Sequence, residues 1–217
     1  MIRVGLVAEG PSDWLALEEL IRTVAPDADF LHLRPDMDNL TSRSPYGWKG
    51  VRAWCREMGP LLETFLSGIP GLPLDFLVIH VDCSMAHNLG ISYPCPPADT
   101  TSNALREAVT RDWLGRDSLP GFVVLATPSV STDAWIVAAL DDPPYQGSVP
   151  LECDLNVERE LHRRRLLPLK GGEVKKPASR YQPIAKQMAQ NIDKVCAACP
   201  EASRVRTEIV AAVSMRG

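Results

Sequence analysis

Residues 4–13 are the part of the sequence that most constrains how this chain can fold. A short apolar run leads to Glu9, and a Gly-Pro break, Ser12 and Asp13 precede a segment whose apolar residues recur at helical spacing. This pattern predicts a strand that delivers Glu9 to its carboxyl end, followed by a helix that begins close to Asp13. Open α/β sheets bind their ligands at that edge. Two carboxylates held together in a tight turn need a cation or a raised pKa.

Two later stretches also predict a carboxylate directly after a strand. Residues 74–81 are almost continuously apolar, which is typical of a buried parallel strand, and Asp82 follows them. A further strand is predicted at residues 121–126, and Asp133 lies in the first turn of the helix after it. Because strands alternate with helices, we expect a mainly parallel sheet covered by helices, with these carboxylates at one rim. His80 lies within its strand, where the sequence favours a satisfied, partly buried histidine.

The character of the sequence changes at about residue 146. No further strand is predicted, and the chain becomes helical and locally basic, so we expect an α/β domain at residues 1–145 and a helical extension at 146–217 packed on it. A basic run extends from His162 to Lys176 and is followed by Arg180. It is either a solvated surface or a contact for the phosphate backbone of a nucleic acid. Lys175, Lys176 and Arg180 are the candidate contacts.

Composition limits the class of protein. The 217 residues carry a formal net charge of −4, which argues against a broadly basic surface but permits local basic patches and bound divalent cations. No apolar run approaches the roughly 20 residues that cross a bilayer, and no signal-peptide pattern is present, so we expect a cytoplasmic protein without membrane association. Most of the six cysteines should then be free thiols. Cys196 and Cys199 lack the second pair that a structural zinc site needs.

Three motifs resemble a known family. Glu-Gly at the end of the first strand with Asp13 four positions later, in residues 7–13, resembles the first motif of the Toprim domain found in topoisomerases, primases, recombination-mediator proteins and OLD nucleases. Residues 78–84 are similar to the second motif, with Ser84 where the family usually has a second aspartate. Residues 132–139 are similar to a third element of small stand-alone Toprim-like proteins from bacteria and phages. The resemblance covers roughly residues 2–142.

The resemblance implies a Rossmann-like Toprim fold and a nuclease, or a related phosphodiester-processing enzyme, that depends on Mg²⁺ or Mn²⁺. Glu9 and Asp82 would be the catalytic residues, and the metal ligands would come from Glu9, Asp13, Asp82, Ser84 and Asp133. The expected partner is DNA or RNA. A protein partner in a multi-component system and a homodimer stay open.

Two alternatives also stay open. Ser84 supplies no negative charge, which favours a catalytically silent Toprim-like module that binds nucleic acid or a protein in a defence or toxin system. A domain in which an aspartate accepts a phosphoryl group ranks lower. It needs a lysine at a later strand end, where this sequence has Thr127, Pro128 and Ser129.

Overall fold

A parallel four-stranded sheet forms the centre of the molecule. The computed structural model describes residues 1–35, 46–63, 73–140 and 145–215. Its strands lie in the order β2-β1-β3-β4, and every neighbouring pair is parallel. They are β1 (Arg3–Val7), β2 (Asp29–Arg34), β3 (Phe76–His80) and β4 (Val123–Ala126). The predicted α/β class with a parallel sheet is therefore confirmed.

The strand order also determines where a ligand can enter. The chain passes from β1 to β2 on one side, whereas β3 lies on the other side of β1. The connections therefore diverge at the carboxyl ends of β1 and β3 and leave a crevice there. Parallel sheets bind their ligands at such a point.

Eight α-helices surround the sheet in the described ranges. They are α1 (Pro11–Arg22), α2 (Trp48–Met58), α3 (Ala98–Ala108), α4 (Asp133–Ala139), α5 (Val157–Arg163), α6 (Ala178–Gln190), α7 (Ile192–Ala198) and α8 (Pro200–Ser214). A π-helical turn, Val109–Trp113, continues α3, and a 3-10 helix, Cys83–Leu89, follows β3. None of the described helices has the length and apolar character needed to cross a membrane.

Alternate residues of the strands serve two separate apolar clusters. Leu6 and Val78 belong to a cluster on one face of the sheet, and Val7 and Ile79 belong to a cluster on the other face. This is the period of two that a strand imposes on its side chains. The first cluster also contains apolar residues of α1, α4, α6, α7 and α8. The C-terminal helices therefore complete the core on that face.

The exposed edge of β4 is closed by two arginines. The carbonyl oxygen of Leu125 accepts hydrogen bonds from Arg106 (2.8 Å) and Arg204 (3.0 Å), and the carboxylate of Glu208 pairs with both guanidinium groups. An unpaired strand edge invites pairing with another chain. These contacts satisfy the edge carbonyl within the molecule.

The C-terminal part differs from the sequence prediction in two respects. Two-residue strands, β5 (Leu169–Lys170) and β6 (Glu173–Val174), pair antiparallel where no strand was predicted. The signal was the Gly171-Gly172 pair, because both glycines take the positive φ that tight hairpin turns require. The expected helical extension is also interrupted at Asn191, between α6 and α7.

Most of the cysteines are free thiols, as predicted, and one pair forms a disulfide. Cys95 and Cys153 form a disulfide, whereas Cys55, Cys83, Cys196 and Cys199 are free. The disulfide joins the loop after the 3-10 helix that follows β3 to a 3-10 helix at Leu151–Cys153. Cys196 and Cys199 belong to no cluster of three or more metal-ligating side chains in the part of the chain that the structure describes.

Gly59 provides a test of the packing between α2 and the π-helical turn. A Cβ atom at this position would lie 2.5 Å from the backbone oxygen of Leu114, so a side chain forces the backbone apart. We expect Gly59→Ala to lower the free energy of unfolding by about 1–3 kcal/mol, as overpacking does. Urea denaturation measures this change.

Gly121→Ala is the matched control for this substitution. Its Cβ atom would approach only the end of the Met215 side chain, which can move aside. We expect a change within about 0.5 kcal/mol, as for most surface substitutions. Equal stability of Gly59→Ala and the wild type would contradict the close approach.

Candidate metal centre

The ends of β1 and β3 bring Glu9 and Asp82 together. Val7 is in register with Ile79, so the residues that follow the two strands emerge side by side at the crevice. The backbone N–H of Asp82 donates a hydrogen bond to Glu9 Oε1 at 2.8 Å. The Glu9 carboxyl group is therefore attached directly to the end of β3, although 73 residues separate it from Asp82 in the sequence.

Asp13 is fixed at the start of α1 by contacts to two segments. Its Oδ2 atom accepts a hydrogen bond from the backbone N–H of Gly10 at 3.0 Å, and its Oδ1 atom accepts one from the Thr132 hydroxyl at 3.0 Å. Its side chain is almost fully buried. The amino end of a helix favours a negative charge. Asp13 therefore presents a carboxylate of fixed position between α1 and the start of α4.

His80 completes a group of three metal-ligating side chains. Its Nε2 atom lies 3.1 Å from Asp82 Oδ1, and its Nδ1 atom lies 4.0 Å from Asp13 Oδ2. One ligand atom each from Asp13, His80 and Asp82 lie within 4.8 Å of one another, so this group could hold a metal ion. We call these three residues together with Glu9 the rim site.

The role of His80 differs from the sequence interpretation. The ring is fully buried rather than partly buried, and its two nitrogens face the carboxylates of Asp13 and Asp82 rather than a well-aligned hydrogen-bond partner among the described residues. The sequence signal for this role was the spacing between His80 and Asp82. His80 lies two residues before Asp82, and side chains two apart on a strand point to the same face.

Burial and neighbouring charges shift the pKa values of Glu9 and His80. Burial, together with the nearby Asp82 carboxylate, raises the pKa of Glu9 to about 8. Burial opposes the charge on His80, but Asp13 and Asp82 outweigh this effect and raise the pKa of His80 to about 9. Glu9 is therefore mostly protonated and His80 mostly cationic at neutral pH. A metal ion that binds His80 must displace its proton.

Asp133 lies beside the rim site in an ion pair of its own. The carboxylate is buried and accepts hydrogen bonds from Lys176 Nζ at 2.6 Å and from the Tyr181 hydroxyl at 2.9 Å. Burial opposes the charge on Lys176, but Asp133 and Asp13 raise the pKa of Lys176 well above its usual range. Lys176 is therefore a fixed cation that faces the acidic rim.

The other predicted site residues lie outside this group. Ser84 is exposed in the 3-10 helix after β3, where its carbonyl oxygen lies 3.1 Å from His87 Nδ1. Lys175 is exposed and pairs with Glu173 at 2.5 Å, and Arg180 is exposed on the first turn of α6. The structure thus brings together Glu9, Asp13 and Asp82, with Asp133 and Lys176 as neighbours.

The raised pKa of Glu9 predicts a pH-dependent effect of Glu9→Gln on stability. Folding keeps this group protonated up to about pH 8, whereas the unfolded chain ionises near pH 4.5, so the wild type loses stability as pH rises through that interval. Glutamine does not titrate, and its oxygen can still accept the Asp82 N–H. We therefore expect the unfolding free energy of the variant, relative to that of the wild type, to increase by on the order of 1–3 kcal/mol from pH 5 to pH 8.

Urea denaturation at the two pH values measures this gain. Glu57→Gln, at an exposed position on α2, is the control and should give the same difference at both pH values. A Glu9→Gln difference that does not change with pH would show that Glu9 is ionised throughout this interval.

Comparisons with known proteins do not suggest a function for this chain. The chain matches no protein-family model, and no curated protein and no solved structure is significantly similar to it. A sheet of this topology supports many unrelated functions. Any function must therefore be inferred from the chemistry of the rim site.

Proposed function

We propose that this chain is a Toprim-like enzyme that uses a divalent metal ion to cleave or otherwise process phosphodiester bonds of nucleic acid. The observation that carries the proposal is the position of Asp13, His80 and Asp82, which lie within 4.8 Å of one another at the diverging ends of β1 and β3. Glu9 is hydrogen-bonded to the same strand end. Ligand sites of parallel sheets lie at this position.

The donor atoms favour one class of metal ion. Two carboxylates supply hard oxygen ligands, which suit Mg²⁺ and Mn²⁺, whereas an imidazole nitrogen suits transition metals better than Mg²⁺. We therefore propose Mn²⁺ as the preferred ion and Mg²⁺ as the weaker one. When bound, the ion would polarise a phosphoryl oxygen and stabilise the charge that develops during displacement.

Glu9 is suited to transfer a proton. A pKa of about 8 lies close to the operating pH, which is where general acids and bases work best. The Asp82 N–H anchors Oε1, and the backbone of Gly47 lies near Oε2, where a Cβ atom on Gly47 would be 3.6 Å away. We assign the acid–base role to Glu9 and the main metal-binding role to Asp82.

Lys176 is suited to contact the phosphate group that reacts. Its ammonium group is fixed by Asp133 and faces Asp13 and Asp82. A cation in this position would offset the repulsion between a phosphodiester and an acidic rim. Lys175 and Arg180 are exposed near it and would reach only the outer part of a bound strand.

One observation favours a catalytically silent module as the second candidate. Asp13 and Asp82 raise the pKa of His80 to about 9, which favours its cation, and Lys176 pairs with Asp133, so these carboxylates have counter-charges within the molecule. A site compensated in this way can be stable without a metal ion. Such a module would bind nucleic acid or a protein, for example in a defence or toxin system.

Metal binding separates the two candidates. We expect isothermal titration calorimetry to detect one Mn²⁺ ion per chain and Asp82→Asn to weaken its binding at least about tenfold, because a charged ligand is lost. Asp117→Asn removes an exposed carboxylate far from the rim site in sequence and should leave the affinity unchanged. No binding at millimolar Mn²⁺ would favour the silent module.

Cleavage of nucleic acid tests the enzymatic part. With Mn²⁺ present, we expect Glu9→Gln to slow phosphodiester cleavage by about 10²–10⁴-fold, the usual contribution of a general acid or base. The variant should still bind Mn²⁺, because Asp13, His80 and Asp82 are intact. Cleavage at the wild-type rate in both Glu9→Gln and Asp82→Asn would exclude the rim site as the active site.

A further inference from the structure

Four cations of the basic C-terminal run are ion-paired within the molecule. Arg163 and Arg164 share Glu160, and Lys175 and Lys176 pair with carboxylates of their own. A cation that already has a carboxylate partner gains less from a phosphate group than an unpaired cation does. These four paired cations are therefore weak contacts for a polyanion, apart from Lys176 at the rim.

A second basic surface lies on α2 and is not ion-paired with any carboxylate among the described residues. Lys49, Arg52 and Arg56 follow one another at steps of three and four residues, which places them along one side of the helix. In the described part of the chain, no carboxylate lies within ion-pair distance of these three side chains, and the buried Nε atom of Arg52 has no hydrogen-bond partner. We call these three residues the α2 stripe.

The α2 stripe begins beside the rim site. The backbone N–H of Gly47, the residue before α2, donates a hydrogen bond to the carbonyl oxygen of Glu9 at 3.1 Å. Gly47 has a φ of 72°, a conformation that glycine adopts readily and that turns the chain into the helix. A ligand that follows the α2 stripe towards the start of the helix therefore arrives at Glu9.

Aromatic side chains accompany the cations at this end of α2. Tyr46 is 58% exposed, and the Nζ atom of Lys49 lies 5.6 Å from the centre of the Trp48 ring. Aromatic rings next to cations are typical of surfaces that bind single-stranded nucleic acids, because bases stack on the rings while phosphates contact the cations. A duplex keeps its base faces stacked inside and cannot use such a ring.

We propose that a single-stranded nucleic acid lies along α2, with its phosphates on Lys49, Arg52 and Arg56 and a base on Tyr46, and that this path leads its backbone to Glu9. The inference rests on the proposed function, because it supplies the strand on which the rim site acts. From Lys49 to Arg56 the helix rises about 10 Å, which is room for about three phosphates of one strand.

Fluorescence anisotropy with a labelled 20-nucleotide single-stranded DNA tests the path. EDTA in the buffer prevents metal-dependent turnover, so binding is measured alone. We expect Lys49→Gln/Arg52→Gln/Arg56→Gln to bind at least about tenfold more weakly and to lower the slope of log Kobs against log salt by about 2, as loss of three phosphate contacts to a single strand requires.

A second triple variant controls for net charge. Arg111→Gln/Arg163→Gln/Arg206→Gln also removes three cations, but each of them has a carboxylate partner, so we expect less than about a threefold loss of affinity. Lys49→Gln/Arg56→Gln leaves the half-buried Arg52 in place, in case its loss disturbs folding, and should lower the salt slope by about 1. Circular-dichroism melting checks that each variant is folded.

The strand form is tested with the same sequence as a duplex and with Tyr46→Ala. We expect weaker binding of the duplex and a loss of single-strand affinity of about fivefold or more in Tyr46→Ala, the usual effect of removing one stacking platform. Equal losses in the two triple variants, or unchanged affinity in the α2 triple variant, would overturn the proposed path. If the duplex binds more tightly than the single strand and Tyr46→Ala does not change the affinity, the single-strand assignment is wrong.

These outcomes are separable from the proposed enzymatic function. Binding through the α2 stripe without Mn²⁺-dependent cleavage would refute the enzyme and leave the binding path in place. Cleavage at the rim site with α2-independent binding would refute the path alone.

Discussion

The burial of Asp13, His80 and Asp82 at one point is the constraint on which the rest of this structure depends. An uncompensated buried charge costs several kcal/mol, so these groups can remain together only if protons, neighbouring cations or a metal ion balance them. The raised pKa values of Glu9 and His80 and the ammonium group of Lys176 favour such a balance. A metal ion at Asp13, His80 and Asp82 could take the place of the proton on His80.

The C-terminal segment is part of this balance rather than an appendage. Lys176 follows β6, and Tyr181 on α6 fixes the second oxygen of Asp133. Residues of α6, α7 and α8 also complete the apolar cluster beneath the start of α1. The segment therefore supplies core packing and, through Lys176, a counter-charge for the acidic rim.

Local patterns in the sequence were enough to predict the strand ends that carry the rim site. Apolar runs ending at Glu9 and Asp82 located two strand ends, and the parallel sheet then placed them side by side. The spacing of His80 and Asp82 indicates a shared face, but only the tertiary fold shows that Asp13 also faces His80. The Lys176–Asp133 pair joins residues 43 positions apart, and only the tertiary fold reveals it. Spacing alone likewise does not reveal that Lys175 and Lys176 have carboxylate partners. The cations of α2 have none among the described residues.

We infer that Asp13, His80 and Asp82 together bind a metal ion. Anomalous diffraction from crystals soaked in MnCl₂ at about pH 8 shows a bound Mn²⁺ ion and its ligands in one experiment, because Mn²⁺ scatters anomalously. We expect one anomalous peak at about 2.0–2.3 Å from a carboxylate oxygen of Asp13, one of Asp82 and a ring nitrogen of His80. If no peak appears and His80 still lies between the two carboxylates, these residues do not form a metal site.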